Sequence, residues 1–271
     1  MGTNRTPGGT YGILVANQSI YDYSSTAKHA LGTRLPMGDR VFYYGKAATT
    51  IAAGEVCSPD VSVGGPVLLP DAACVAIASP TLQSKAITAA LAVGDRGIGI
   101  THGTYLDNIT AHMLKDGYIV LTDSGGINQY YKIKDNTAAA TDIVEILLYD
   151  EIRTATTDAT TGVAVMCNLF NNLCPAVPAS DECVAGVAMA AFTTTYPYGW
   201  FQTWGPGMVK VAGNGSTGVA TACGGTDLSI GTVAGTADLT LSSGIVARIG
   251  YGLTDITTSG DAALVMLQIL P

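Results

Sequence analysis

From Arg34 onward the chain alternates short apolar runs with turn-forming glycine, proline and aspartate, and no long helical period interrupts them. Asp39–Lys46 packs Val41, Phe42, Tyr43 and Tyr44 between Gly38 and Gly45, which is the pattern of a strand bounded by turns. Lys115-Asp116-Gly117 reads as a tight turn, because Asp-Gly favours the positive φ of hairpin turns. It is followed by strands at Tyr118–Thr122 and Gln129–Ile133, with Asp123–Gly126 turning between them. Gly97–Thr101, Ile143–Tyr149, Val163–Leu169, Cys183–Phe192, Val219–Cys223, Ile245–Tyr251 and Ala262–Leu270 continue the rhythm. Short strands at close spacing predict an all-β protein built as sandwiches or barrels.

One stretch stands out. Tyr196–Gly207, YPYGWFQTWGPG, holds both tryptophans although aromatic residues make up only 7% of the chain. On a pleated strand Tyr198, Trp200, Gln202 and Trp204 face one side, and Gly199, Phe201 and Thr203 the other. Two indoles on one face bury a large area and need partners for their N–H groups. The stretch is expected to be a central strand, or a strand at a subunit interface.

The start of the chain reads differently. Residues 1–35 combine a short run containing Tyr11, Ile13 and Leu14 with a polar stretch carrying Tyr21 and Tyr23. An extended arm with scattered apolar residues has little reason to fold on itself, so it is expected to lie on a neighbour. Ser24–Leu31 is long enough for a helical turn or two, capped by Ser24 or Ser25. Thr154–Thr161, with no apolar anchor, reads as an inter-domain link. The division that follows is an extended N-terminal arm (1–35), a first β-domain (36–153) and a second (154–271).

Composition narrows the function classes. Charged residues are 13% of 271, about half of the roughly 25% usual for soluble domains. Economy in charge points to a surface covered by other copies or another protein. The net charge is −8 with no basic run, which argues against nucleic-acid binding. No apolar run approaches the roughly 20 residues of a membrane span. The first ten residues lack the basic and apolar regions of a secretory leader. They fit a myristoylation pattern through Gly2 and Thr6, against which Pro7 counts.

Candidate chemistry is sparse. Cys57, Cys74, Cys167, Cys174, Cys183 and Cys223 match no zinc spacing and read as buried thiols; a bridge of Cys174 with Cys167 or Cys183 is the alternative. Gly94–Thr101 holds the reverse of a dinucleotide fingerprint and reads as turn glycine. Asp116, Asp123 and Asp135 lie in turns without calcium-loop spacing. His102 and His112 have no G-x-S-x-G nucleophile to serve. The expectation is a protein without catalytic residues, metal or cofactor.

Taken together, LGTRLPMGDRVFYYGKAATTIAAGEVC, the turn-rich β-region and YGWFQTWGPGMV resemble structural proteins of tailed-phage virions, and more loosely capsid decoration (cement) proteins. The resemblance implies a protein on the outer surface of the capsid, made in the host cytoplasm. Its partners would be the major capsid protein and copies of itself, with a trimer favoured. It makes Tyr11, Ile13, Leu14, Tyr21 and Tyr23 capsid-contacting arm residues. Phe42, Tyr44, Tyr198, Trp200, Phe201 and Trp204 become packing or interface residues. Another virion component (major capsid, head fibre or tail-tube subunit) is the runner-up, although a major capsid protein usually carries a long helix. A carbohydrate-binding module using Tyr198, Trp200 and Trp204 as a stacking platform is a different class. Solvent exposure of those rings separates the two.

Overall fold

The computed structural model describes residues 18–59, 85–101, 111–121, 129–138, 143–156, 162–166, 168–176, 184–211, 227–230, 234–239, 248–254 and 261–270. Among them every regular element is a β-strand, as the alternation predicts. The first group is β1 (Tyr23–Ser24), β2 (Arg34–Met37), β3 (Arg40–Lys46) and β4 (Val56–Pro59). The second is β5 (Lys85–Ala86), β6 (Gly97–Thr101), β7 (Tyr118–Leu121), β8 (Gln129–Asn136), β9 (Ile143–Leu148) and β10 (Gly162–Met166). A third follows: β11 (Leu173–Pro175), β12 (Gly186–Ala188), β13 (Tyr198–Lys210), β14 (Asp227–Ile230), β15 (Ala237–Leu239), β16 (Arg248–Gly252) and β17 (Ala262–Gln268).

These strands form two sheets. The first and third groups make an eleven-stranded sheet and the second a six-stranded one. Sheet membership therefore joins β2–β4 to strands after residue 172, whereas the local pattern puts residues 36–153 in one stretch. Pairing between strands more than a hundred residues apart leaves no trace in local alternation.

The thirteen-residue β13 organises the large sheet. It pairs antiparallel with β1, β3, β12 and β17. Its two faces enter different cores. Trp200 joins Ile20, Leu35, Phe42 and Tyr44, while Phe201 joins Ile51, Leu173 and Phe192. Further along, Val209 enters a third cluster with Val187, Ile249, Val265 and Leu267. The register against β3 shifts between Gln202 and Trp204, so β13 is bulged where it passes from one partner set to the next.

The six-stranded sheet runs β5-β10-β7-β8-β9-β6, antiparallel throughout. Its ends meet. Ile87 bridges Ile100 of β6, and the Thr88 N–H donates to the Gly99 carbonyl at 2.8 Å. The sheet is curled so that its two ends touch at this point, in a barrel-like arrangement with the β6-β9-β8-β7 neighbourhood of a Greek key. Alternation fills its interior with Ile98, Ile119, Tyr131, Ile133, Ile146 and Leu148, each worth about 1.5–3 kcal/mol of transfer free energy for the aliphatic ones. The opposite positions, among them Tyr118, Val120, Tyr130 and Leu147, are exposed.

The helical turn expected at Ser24–Leu31 is corrected. Ser24–Leu31 forms no helix: its groups bond elsewhere, the Lys28 N–H to the Tyr44 hydroxyl at 3.0 Å and the Ser24 hydroxyl to the Thr26 carbonyl at 2.7 Å. Residues 18–35 pair with their own chain through β1 and β2, burying Ile20 and Leu35. The start of the Thr154–Thr161 stretch is anchored, because Thr156 exchanges bonds with the Leu91 backbone and Ile152 enters the barrel core. Residues 157–161 lie outside the described residues, as do Tyr11, Ile13, Leu14, Asp123, His102 and the predicted strand Val219–Cys223.

Candidate functional site

Residues 18–31, β3 and β13 meet in an aromatic knot. Trp200 is 1% exposed, with the Tyr44 ring edge-on at 5.1 Å and the His29 ring at 5.2 Å. Its indole N–H donates to the Gln18 carbonyl at 3.3 Å. Gln18 is the lock of this cluster. Its side-chain carbonyl accepts the Tyr44 hydroxyl at 2.9 Å, and its amide donates to the carbonyls of Asp22 at 2.9 Å and Tyr198 at 3.2 Å. A buried glutamine with these partners satisfies the polar groups that two aromatic heads bring into the core.

The sequence-predicted packing residues separate accordingly. Phe42, Tyr44 and Trp200 come together, with Tyr198 packed at their edge. Phe201 stands on the other face, stacked on Phe192 at 4.9 Å. Trp204 is half-buried, past the bulge. Burial closes Trp200 to any sugar ring, so the stacking platform read from Trp200 and Trp204 is not formed by this strand. Tyr21 and Tyr23 are on the surface, where Tyr23 meets Tyr196 at 5.7 Å. No local signal in the sequence distinguished Gln18 or His29 from ordinary polar residues of a loop.

His29 carries a pH dependence. Its Nε2 is buried without a hydrogen-bond partner, and burial lowers the imidazole pKa from its ordinary 6.5. The Tyr44 and Trp200 rings would favour an imidazolium by cation–π attraction, but a closed Nε2 leaves the second N–H unsolvated, so desolvation wins. A depressed folded pKa means that the unfolded chain binds the proton more readily. Stability from this group is full above the unfolded pKa and is lost as pH falls through about 6.5 toward the folded value. Thermal melts from about pH 7 to about pH 5 should fall more steeply for the native chain than for His29→Phe; equal slopes would refute the assignment.

A cleft of about 240 Å³ lies between residues 27–31 and the turn at Lys115–Asp116, lined by His29, Leu31, Lys115, Asp116, Tyr149 and Tyr198. Asp116 is 3% exposed, with φ of 62° in the turn predicted from Asp-Gly. It accepts the Tyr149 hydroxyl at 3.1 Å, and the Lys132 ammonium stands 3.9 Å away. Burial first, and then the Asp116 charge, raise the Tyr149 pKa. Asn168 fastens the two sides by donating to the carbonyls of Leu31 at 2.9 Å and Asp116 at 3.3 Å.

A wider groove of about 420 Å³ runs beside β9, lined by His112, Asp135, Asn136, Thr137, Glu145 and Leu147. His112 Nδ1 meets Asp135 Oδ1 at 2.7 Å. Burial raises the Asp135 pKa, but the bonds from His112 and the Asn136 N–H outweigh it and hold the carboxyl below its ordinary value. Both side chains are open to solvent, so the pair contributes little stability. Asp116 and Asp135 have separate partners. Among the described residues no group of three histidine, cysteine, aspartate or glutamate side chains converges as a metal site.

Cys57 and Cys174 are not joined in a disulfide, and burial pushes the Cys57 pKa well up, away from reactivity. Cys167 and Cys183 lie outside the described residues. No family model matches the chain, and comparison with curated proteins and with solved structures finds no match.

Proposed function

We propose that this chain is a structural virion protein of the capsid-decoration type, which binds the outer surface of a phage head and its own copies. The observation that carries the reading is the outer wall of the barrel. Val120 stands opposite Tyr130 and Ala164 in a row across three strands, with Tyr118 and Leu147 exposed nearby. An apolar row across three strands is a surface on which a partner can pack. The resemblance of the tryptophan strand and its flanks to tailed-phage virion proteins and the low charge of the chain agree with contact as its work. Many copies on one particle make weak individual contacts sufficient.

Light scattering on a sizing column, followed by pelleting with emptied phage heads, tests this. The native chain should run as a trimer or sediment with heads. Val120→Lys, which puts a charge on the wall without touching the core, should weaken either association about tenfold, equivalent to ~1.4 kcal/mol. A monomer at every concentration that also fails to sediment with heads would overturn the proposal.

A further inference from the structure

We propose that Tyr21, Tyr23 and Tyr196 form a binding surface for neutral glycans, on the face where the arm crosses the start of β13. This goes beyond the decoration reading and does not rest on it. The three rings are 58%, 52% and 46% exposed, beside a strand whose own Trp200 and Phe201 are buried. Pairing of Tyr23 with Gly199 and of Ser24 with Tyr198 brings the two segments together, and leaves the Tyr23 and Tyr196 rings 5.7 Å apart at 55°.

The rings stand on fixed backbone. One turn is closed by the Asp22 N–H to the Ser19 carbonyl at 3.0 Å, with the Ser19 N–H donating to Asp22 Oδ2 at 3.3 Å. The other is closed by the Tyr196 N–H to the Thr193 carbonyl at 3.1 Å and to its hydroxyl at 3.2 Å. Gln18 joins the two by donating to both Asp22 and Tyr198. Aromatic side chains on anchored turns lose little conformational freedom when a ligand stacks on them.

The chemistry around the rings selects the ligand class. Between Ser19 and Ala27 the only charge is Asp22, and between Phe192 and Gly199 there is none. Neither segment holds a lysine or arginine to neutralise a nucleic acid or an acidic polysaccharide, and the two cations that flank them, Lys28 and Lys46, form no cluster. Aliphatic side chains do not extend the patch between the rings, since Ile20 is turned into the core. What remains beside the rings is hydroxyl, with Ser25, Thr194 and Thr195 exposed and the Asp22 carboxylate as the strong acceptor. Sugar rings present C–H faces to aromatic π-systems and hydroxyls at their rims, which is the complement of this surface.

Native gel electrophoresis through amylose, dextran, galactomannan or hydroxyethyl cellulose provides the test, with Tyr23→Ala, Tyr196→Ala and their combination. Met208→Ala, an exposed apolar residue on the other end of β13, serves as the control. At least one polysaccharide should retard the native chain, with apparent Kd rising about tenfold or more in the double variant and unchanged in Met208→Ala. Retardation by none of the four would overturn the proposal, as would equal loss in the control. A double variant that changes the mass by light scattering but not the retardation would make the surface a contact between copies instead.

Discussion

Trp200→Ala should lower stability by about 3–5 kcal/mol, the largest effect expected from any single truncation in this chain. The indole is enclosed by Tyr44, His29 and the Gln18 backbone, so its removal leaves a cavity that the paired strands on either side cannot close. The loss also has a polar part, because the Gln18 carbonyl is left without its donor. Unfolding by denaturant, with the midpoint and slope read separately, measures the effect. A fall in Tm of roughly 10 °C is the thermal counterpart. Hydrogen exchange should show residues 18–31 losing protection first, since Gln18 is held through Trp200 and Tyr44. Trp204→Ala removes the same side chain from a half-buried position and should cost clearly less. Equal losses in the two variants would contradict the central place given to Trp200.

Gly205→Ala should abolish folding or reduce it severely. Gly205 lies in β13 just past the bulge, with φ of 85°, a conformation that costs an L-residue about 1–2 kcal/mol. A Cβ there would also stand 2.2 Å from the Asp39 carbonyl oxygen. That neighbour is backbone at the turn between β2 and β3, so the clash cannot be relieved by turning a side chain. Strain and overlap act on the strand that four others pair with. Circular dichroism and soluble yield would report the outcome. Gly38→Ala provides the comparison: φ is 65° there, but the added Cβ meets nothing within 4 Å, so only the conformational cost applies. Matching effects at the two positions would show that the close approach at Gly205 is not decisive.

The proposed function and the glycan surface make separate demands. The proposed assembly uses the wall around Val120 and Tyr130, and the proposed glycan binding the start of β13 around Tyr23 and Tyr196. A chain that lost one property and kept the other would establish that the two faces work independently.

Local pattern was enough for much of the secondary structure. Alternation predicted β7, β8 and β9 to within a few residues, because one face of each is buried and the other exposed. The Asp-Gly pair marked the turn at Asp116, whose positive φ such a pair supplies. Clustering of scarce aromatic residues marked β13 as a central or interface strand, and its pairing with four others makes it central, since burial energy concentrated in one strand requires cover on both faces. What only the tertiary structure decided was which segments meet. That β3 pairs with a strand some 150 residues later, and that β5 closes on β6, depends on register between distant strands, which alternation within one strand does not specify. The course of residues 18–35 and the roles of Gln18 and His29 were hidden for the same reason. A polar residue in an irregular segment carries no periodic signal, and its burial follows from the tyrosine and tryptophan that another part of the chain brings to it.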